Sequence, residues 1–124
     1  NSSDDVCALI AETLALYGYP TVTGHADDFR HGRADLEAFF RDHDPGVVVW
    51  DVAPPYARNW DFIREVIEAP FGRSRGWVVT TTNRDALEEQ VGLATGAIEL
   101  VGKPFDLEEI AAAVVRAERD AALR

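Results

Sequence analysis

Short β-prone stretches that alternate with segments of helical spacing constrain this chain more than any other feature. Val47, Val48, Val49 and Trp50 form an unbroken apolar run, and Trp77, Val78 and Val79 form another. Continuous rather than alternating apolar residues are the pattern of strands covered on both faces. Residues 20–23 (with Thr21, Val22 and Thr23) and residues 98–101 add two shorter β-prone stretches. Between and after them, Leu36, Phe39 and Phe40, then Phe62, Ile63, Val66 and Ile67, then Leu87, Val91 and Leu93, then Leu107, Ile110, Ala113, Val114 and Ala117 recur at helical intervals. Strands alternating with helices predict an α/β fold with a parallel sheet and helices on both faces. Open sheets of this kind bind ligands at the carboxyl ends of their strands.

Local signals set the element ends. Ser2 and Ser3 followed by Asp4 and Asp5 predict a helix start, with acids in the first turn. Val6, Leu9, Ile10, Leu14 and Leu16 continue that helix and Gly18 stops it. The polar stretch 24–33 reads as a loop, and Asp44-Pro45-Gly46 ends the second helix. Asp51 ends the strand of residues 47–50, and Pro54-Pro55 makes the next segment a loop. A helix running from Trp60 is closed by Pro70 and Gly72, and the helix holding Leu87 ends near Gly96. Gly102-Lys103-Pro104 interrupts the last strand, and Asp106 caps the last helix. Because the order begins with a helix and residue 1 is Asn, we expect a first strand upstream of Asn1.

The 124 residues suit a single domain, and 47% hydrophobic with 27% charged residues is a globular balance. With 12 basic and 22 acidic side chains the formal net charge is −10, which repels phosphate and argues against direct nucleic-acid or anionic-membrane binding. One cysteine, Cys7, cannot form an internal disulfide or a multi-cysteine zinc site. No apolar run nears the ~20 residues of a membrane span and no signal peptide is visible, so a cytoplasmic location is expected.

Three residues sit at the carboxyl ends of successive predicted strands: Asp51, Thr81 and Lys103. Parallel strands gather those ends on one rim, so a carboxylate, a hydroxyl and an ammonium converge there. A carboxylate can attack phosphorus and become an acyl phosphate. A hydroxyl and an ammonium can then hold the added phosphoryl oxygens. Lys103 is the one lysine among the 12 basic residues, which sets it apart from the arginines elsewhere.

On these residues the sequence resembles a response-regulator receiver domain (CheY-like), the phosphoacceptor module of two-component signalling. The similarity runs from Asn1 to about Ala117. Val47-Val48-Val49-Trp50-Asp51 resembles the family's third strand ending in the phosphoacceptor, and Pro55 matches the proline of the next loop. Residues 78–82 resemble the fourth strand with its switch hydroxyl, and the 22-residue step from Thr81 to Lys103 suits that register. Gly96-Ala97 and Val101-Gly102-Lys103-Pro104-Phe105 resemble two further family signatures. The resemblance implies a doubly wound, flavodoxin-like parallel sheet of strand order 2-1-3-4-5 and a cis Lys103-Pro104 bond turning the lysine inward. It also implies Mg²⁺ beside the phosphoacceptor. Its partners would be a histidine kinase or phosphotransfer protein, and a further signalling protein docking on the last strand and the last two helices.

The departures carry information too. The family's acidic pair at the end of the first strand aligns with Asn1 and Ser2, neither of them anionic. Mg²⁺ normally needs carboxylate among its oxygen ligands. Asp51, the Ala53 backbone carbonyl and Asn1 remain for it, so its affinity is expected to be weak or absent. Leu100 stands where family members often carry a switching aromatic, and Asn59 replaces a usual glycine, a change that asparagine's tolerance of left-handed backbone makes mild. His25, His31 and His43 share no ligand spacing and read as solvated. Cys7, Trp50, Trp60 and Trp77 read as packing residues, and Glu88, Glu89, Glu108 and Glu109 as solvated helix faces.

Two mechanisms fit this reading. Asp51 accepts a phosphoryl group, which adds about −1.5 to −2 charges and biases the docking face. Alternatively the domain is a pseudo-receiver that signals by constitutive protein contact, with Asp51 and Lys103 as a structural ion pair. The missing acids favour the second. Beyond self-phosphorylation and dephosphorylation at Asp51 no enzyme activity is expected. A small flavodoxin-like nucleotide or cofactor binder using the same strand-end crevice is the alternative from another class, and the chain has no phosphate loop to serve it.

Overall fold

The structure is a computed structural model and describes residues 2–19, 21, 33–52, 55–81, 84–91, 98–102 and 106–122. These residues fall into two compact units, residues 1–44 and residues 45–124. The expected strand of residues 20–23 and the loop after it, the Gly96-Ala97 and Lys103-Pro104-Phe105 signatures, Asn1, Ala53, His25 and His31 lie outside the described residues.

The first unit holds helix α1 (Ser2–Leu16) and helix α2 (Arg33–His43). Gly18 stops α1 as its sequence position predicts. At φ +87° it takes a backbone that side chains resist. Its amide then meets the Ala15 carbonyl at 3.0 Å while the Tyr19 amide reaches Leu14 at 2.9 Å, the paired bonds of a Schellman stop. The apolar residues of α1 do not share one stripe. Ile10 and Leu14 lie about 40° apart around the helix and Leu14 is buried. Leu9 and Leu16 lie on another side, and both are exposed together with Tyr17. Asp44 ends α2 in left-handed backbone at φ 45°, its amide 2.7 Å from the Phe40 carbonyl, and Pro45 prevents continuation. Leu36 and Phe40 are buried, as the spacing requires, while exposed His43 rests against Phe39 with ring centroids 4.5 Å apart.

The second unit is α/β. Strands β1 (Val47–Val52), β2 (Gly76–Thr81) and β3 (Ile98–Gly102) form a parallel sheet in the order β1-β2-β3. Helices α3 (Tyr56–Glu68) and α4 (Pro70–Arg73) lie between the first two strands in sequence. Helix α5 (Arg84–Val91) precedes β3 and α6 (Leu107–Ala122) follows it. The strand covered on both faces is β2, buried at every position, whereas Val47, Val48, Val49 and Trp50 are only half-buried. Of the three described strands β1 and β3 are the outer two, so β2 alone has a described neighbour on each side.

Alternation along the strands assigns α3, α4 and α6 to faces of the sheet. Trp50 meets Phe62 of α3 with ring centroids 6.2 Å apart, and the Trp77 indole Nε1 donates to the Gly72 carbonyl of α4 at 2.8 Å. On the opposite face Gly76 approaches the Ala117 backbone of α6, and Glu99 pairs with Arg116. Trp60, Ile63, Trp77, Val79 and Leu87 are buried, as are Ile110, Ala113 and Ala117.

Two element ends differ from the sequence reading. β1 does not stop at Asp51, because the ladder with β2 continues through Asp51↔Thr80 and Val52↔Thr81. Helix α3 begins at Tyr56, immediately after Pro55, not at Trp60. Pro70 closes α3, which ends at Glu68 with Ala69 in extended backbone, and it also opens the short helix α4, since proline at a first helical position forfeits no needed amide. Asn59 lies in right-handed α3, its amide 3.1 Å from the Pro55 carbonyl, so no left-handed backbone is required there.

Candidate functional site

The carboxyl end of β1 presents Asp51, and that of β2 presents Thr80 and Thr81. The pairing Asp51↔Thr80 sets those two residues side by side on one face of the sheet. The Thr80 hydroxyl donates to Asp51 Oδ1 at 2.7 Å. A hydroxyl-to-carboxylate bond of this length is charge-assisted, about twice as strong as a neutral one. Asp51 is exposed, and Thr80 is 3% exposed. An accessible anion is thus held by a buried donor rooted in the most enclosed strand.

Thr81 is fully buried, and alternation turns it to the other face, where it pairs in register with Val52 and Gly102. The described contact to Asp51 therefore comes from Thr80, a residue that the sequence pattern does not single out. Three consecutive threonines, Thr80, Thr81 and Thr82, hide which hydroxyl shares a face with the aspartate. The only signal is parity, and it becomes readable once the register between the strands is known. Lys103 follows Gly102 in the chain and, with Thr82, lies outside the described residues.

Among the described residues no group of three or more His, Cys, Asp or Glu side chains could hold a metal ion. Of the ligands expected for Mg²⁺, Asp51 is the one described. The other two, the Ala53 carbonyl and Asn1, lie outside the described residues. Also among the described residues, no helix is long and apolar enough to cross a membrane. The opposite, amino ends of the strands are anchored on backbone acceptors: Arg75, just before β2, donates from Nε to the Phe71 carbonyl at 2.7 Å and from Nη1 to the Pro45 carbonyl at 2.6 Å. The Gly76 amide adds a bond to the Gly46 carbonyl at 2.8 Å, so the starts of β1 and β2 are tied before their pairing begins.

No protein-family model matches the chain, and no curated protein matches it.

Proposed function

We propose that the chain is a receiver-type signalling module of a two-component system, with Asp51 as its phosphoacceptor. The observation that carries this reading is an exposed carboxylate at the carboxyl end of a parallel strand, held by a hydroxyl from the adjacent strand end. In the proposed fold the described sheet supplies the last three strands of a doubly wound 2-1-3-4-5 order. A carboxylate oxygen of Asp51 attacks the phosphorus of a phosphodonor, the donor's bond to phosphorus breaks, and an acyl phosphate forms. By the resemblance Thr81 and Lys103 bind the phosphoryl oxygens; for Thr81, buried on the face opposite Asp51, this requires its hydroxyl to turn over the strand end. The added charge biases the face made by α5, β3 and α6, where a partner protein docks.

A second reading has its own support in Asn1 and Ser2, which stand where the family carries acids. In that reading the domain is a pseudo-receiver acting through constant protein contact. Incubation with acetyl phosphate, with and without Mg²⁺, separates the two by intact mass. Gain of one phosphoryl group, lost in Asp51→Asn, supports phosphoacceptance. An unchanged mass at high Mg²⁺, together with no response to beryllofluoride, supports the pseudo-receiver.

A further inference from the structure

We infer that Thr80 is a positioning residue that shortens the life of the phosphorylated state, an inference that rests on phosphoacceptance at Asp51. Its hydroxyl donates to Asp51 Oδ1 at 2.7 Å in the resting protein. Thr80 is 3% exposed and lies in a strand buried along its whole length, so the donor is fixed rather than recruited. While Asp51 is a carboxylate, the bond is charge-assisted. When Asp51 is an acyl phosphate, Oδ1 is a neutral carbonyl oxygen and the same bond is roughly half as strong. Thr80 therefore stabilises the free carboxylate more than the phosphorylated form.

Hydrolysis reverses phosphorylation at the aspartate. Water bonds to phosphorus, the bond between phosphorus and Asp51 breaks, its electron pair returns to the carboxylate, and inorganic phosphate departs with both protons of the water. In a loose phosphoryl-transfer transition state the aspartate already bears most of its negative charge. The Thr80 bond is then nearly at full strength in the transition state, as it is in the free carboxylate. Its effect falls on decay, which it accelerates, and leaves formation almost unchanged.

The test compares wild type with Thr80→Val, close in shape but without the donor, and Thr80→Ser, which restores it. Each is phosphorylated with radiolabelled phosphoramidate, and the initial rate of incorporation and the decay after donor removal are recorded. Thr80→Val is expected to decay roughly three- to tenfold more slowly with little change in incorporation, and Thr80→Ser to return to the wild-type rate. If Thr80→Val does not fold, Thr80→Ala removes the donor without adding bulk. Equal decay in wild type and the donor-free variant, with labelling still lost in Asp51→Asn, overturns the role of Thr80 and leaves phosphoacceptance standing. No label in wild type or in the donor-free variant overturns both. Label that accumulates only in the donor-free variant supports both.

Discussion

Gly76 shows how closely α6 packs on the sheet of the second unit. A Cβ on this residue would stand 2.5 Å from the Ala117 carbonyl oxygen and 2.7 Å from its carbon, so α6 would have to move off the sheet. Gly76→Ala is expected to destabilise the protein by about 1–3 kcal/mol, read as a lower urea midpoint at unchanged slope. Trp77, next along β2, fails in another way when shortened. Trp77→Phe removes the indole donor from the buried Gly72 carbonyl, which keeps the Arg75 amide at 3.1 Å, and opens space beside it. A loss of about 1–3 kcal/mol is expected from the same measurement. Both residues precede the site by only a few positions, yet neither carries chemistry. The residues proposed to do so are unequally legible. Asp51 stands out because an apolar run ends on a carboxylate. Thr80 does not stand out, because its role depends on a register set by Arg75, Gly46 and the ladder itself, all beyond its own sequence neighbourhood.

Elements whose signals are local are legible in the sequence, and those whose ends depend on pairing are not. The last helix is the clearest case of the first kind. Asp106 caps α6: its Oδ1 accepts from the Glu109 amide at 2.8 Å, and Glu109 Oε1 lies 3.5 Å from the Asp106 amide, the reciprocal pattern of a capping box. Asp106→Ala is expected to cost about 1 kcal/mol, whereas Asp106→Asn should cost little, because asparagine caps as well as aspartate. Thermal melts of the two variants check the contrast. Arg116, further along α6, pairs with Glu99 on β3, but its side chain is 53% exposed. Removing the pair with Arg116→Gln is therefore expected to cost less than about 1 kcal/mol. By contrast the sequence pattern understates the length of β1, since nothing within residues 47–52 says that Asp51 and Val52 keep bonding to β2. Pro70 is legible in one of its two roles. Its position predicts the end of α3, whereas the new helix that it opens depends on the fold.

At the scale of the whole chain, charge opposes compactness. Twenty-two acidic side chains against 12 basic ones leave a formal net charge of −10 to be held within a small folded volume. Local pairs such as Arg64 with Asp61, 3.6 Å apart on α3, and Arg116 with Glu99 relieve little of it, because exposed pairs contribute at most about 1 kcal/mol each. Repulsion among the unmatched acids acts over the Debye length, about 30 Å at 0.01 M salt and about 8 Å at 0.15 M. At the lower concentration every part of a chain this size feels every other part, and at the higher one only near neighbours do. Raising sodium chloride across that range is therefore expected to raise the urea midpoint at unchanged slope, a gain in stability on the order of 1 kcal/mol. Sodium chloride rather than sulfate isolates screening from the general strengthening of burial that sulfate brings. A midpoint that falls with salt would mean that the paired charges contribute more than the unpaired ones cost, and would assign to Arg116 and Arg64 a weight their exposure denies. The same physics bears on the proposed function. A phosphoryl group added to Asp51 enters a field that is already negative, so acetyl phosphate should label the protein faster in 0.15 M salt than in 0.01 M. Labelling that slows with salt would point instead to a local cation that gathers the donor at the strand ends.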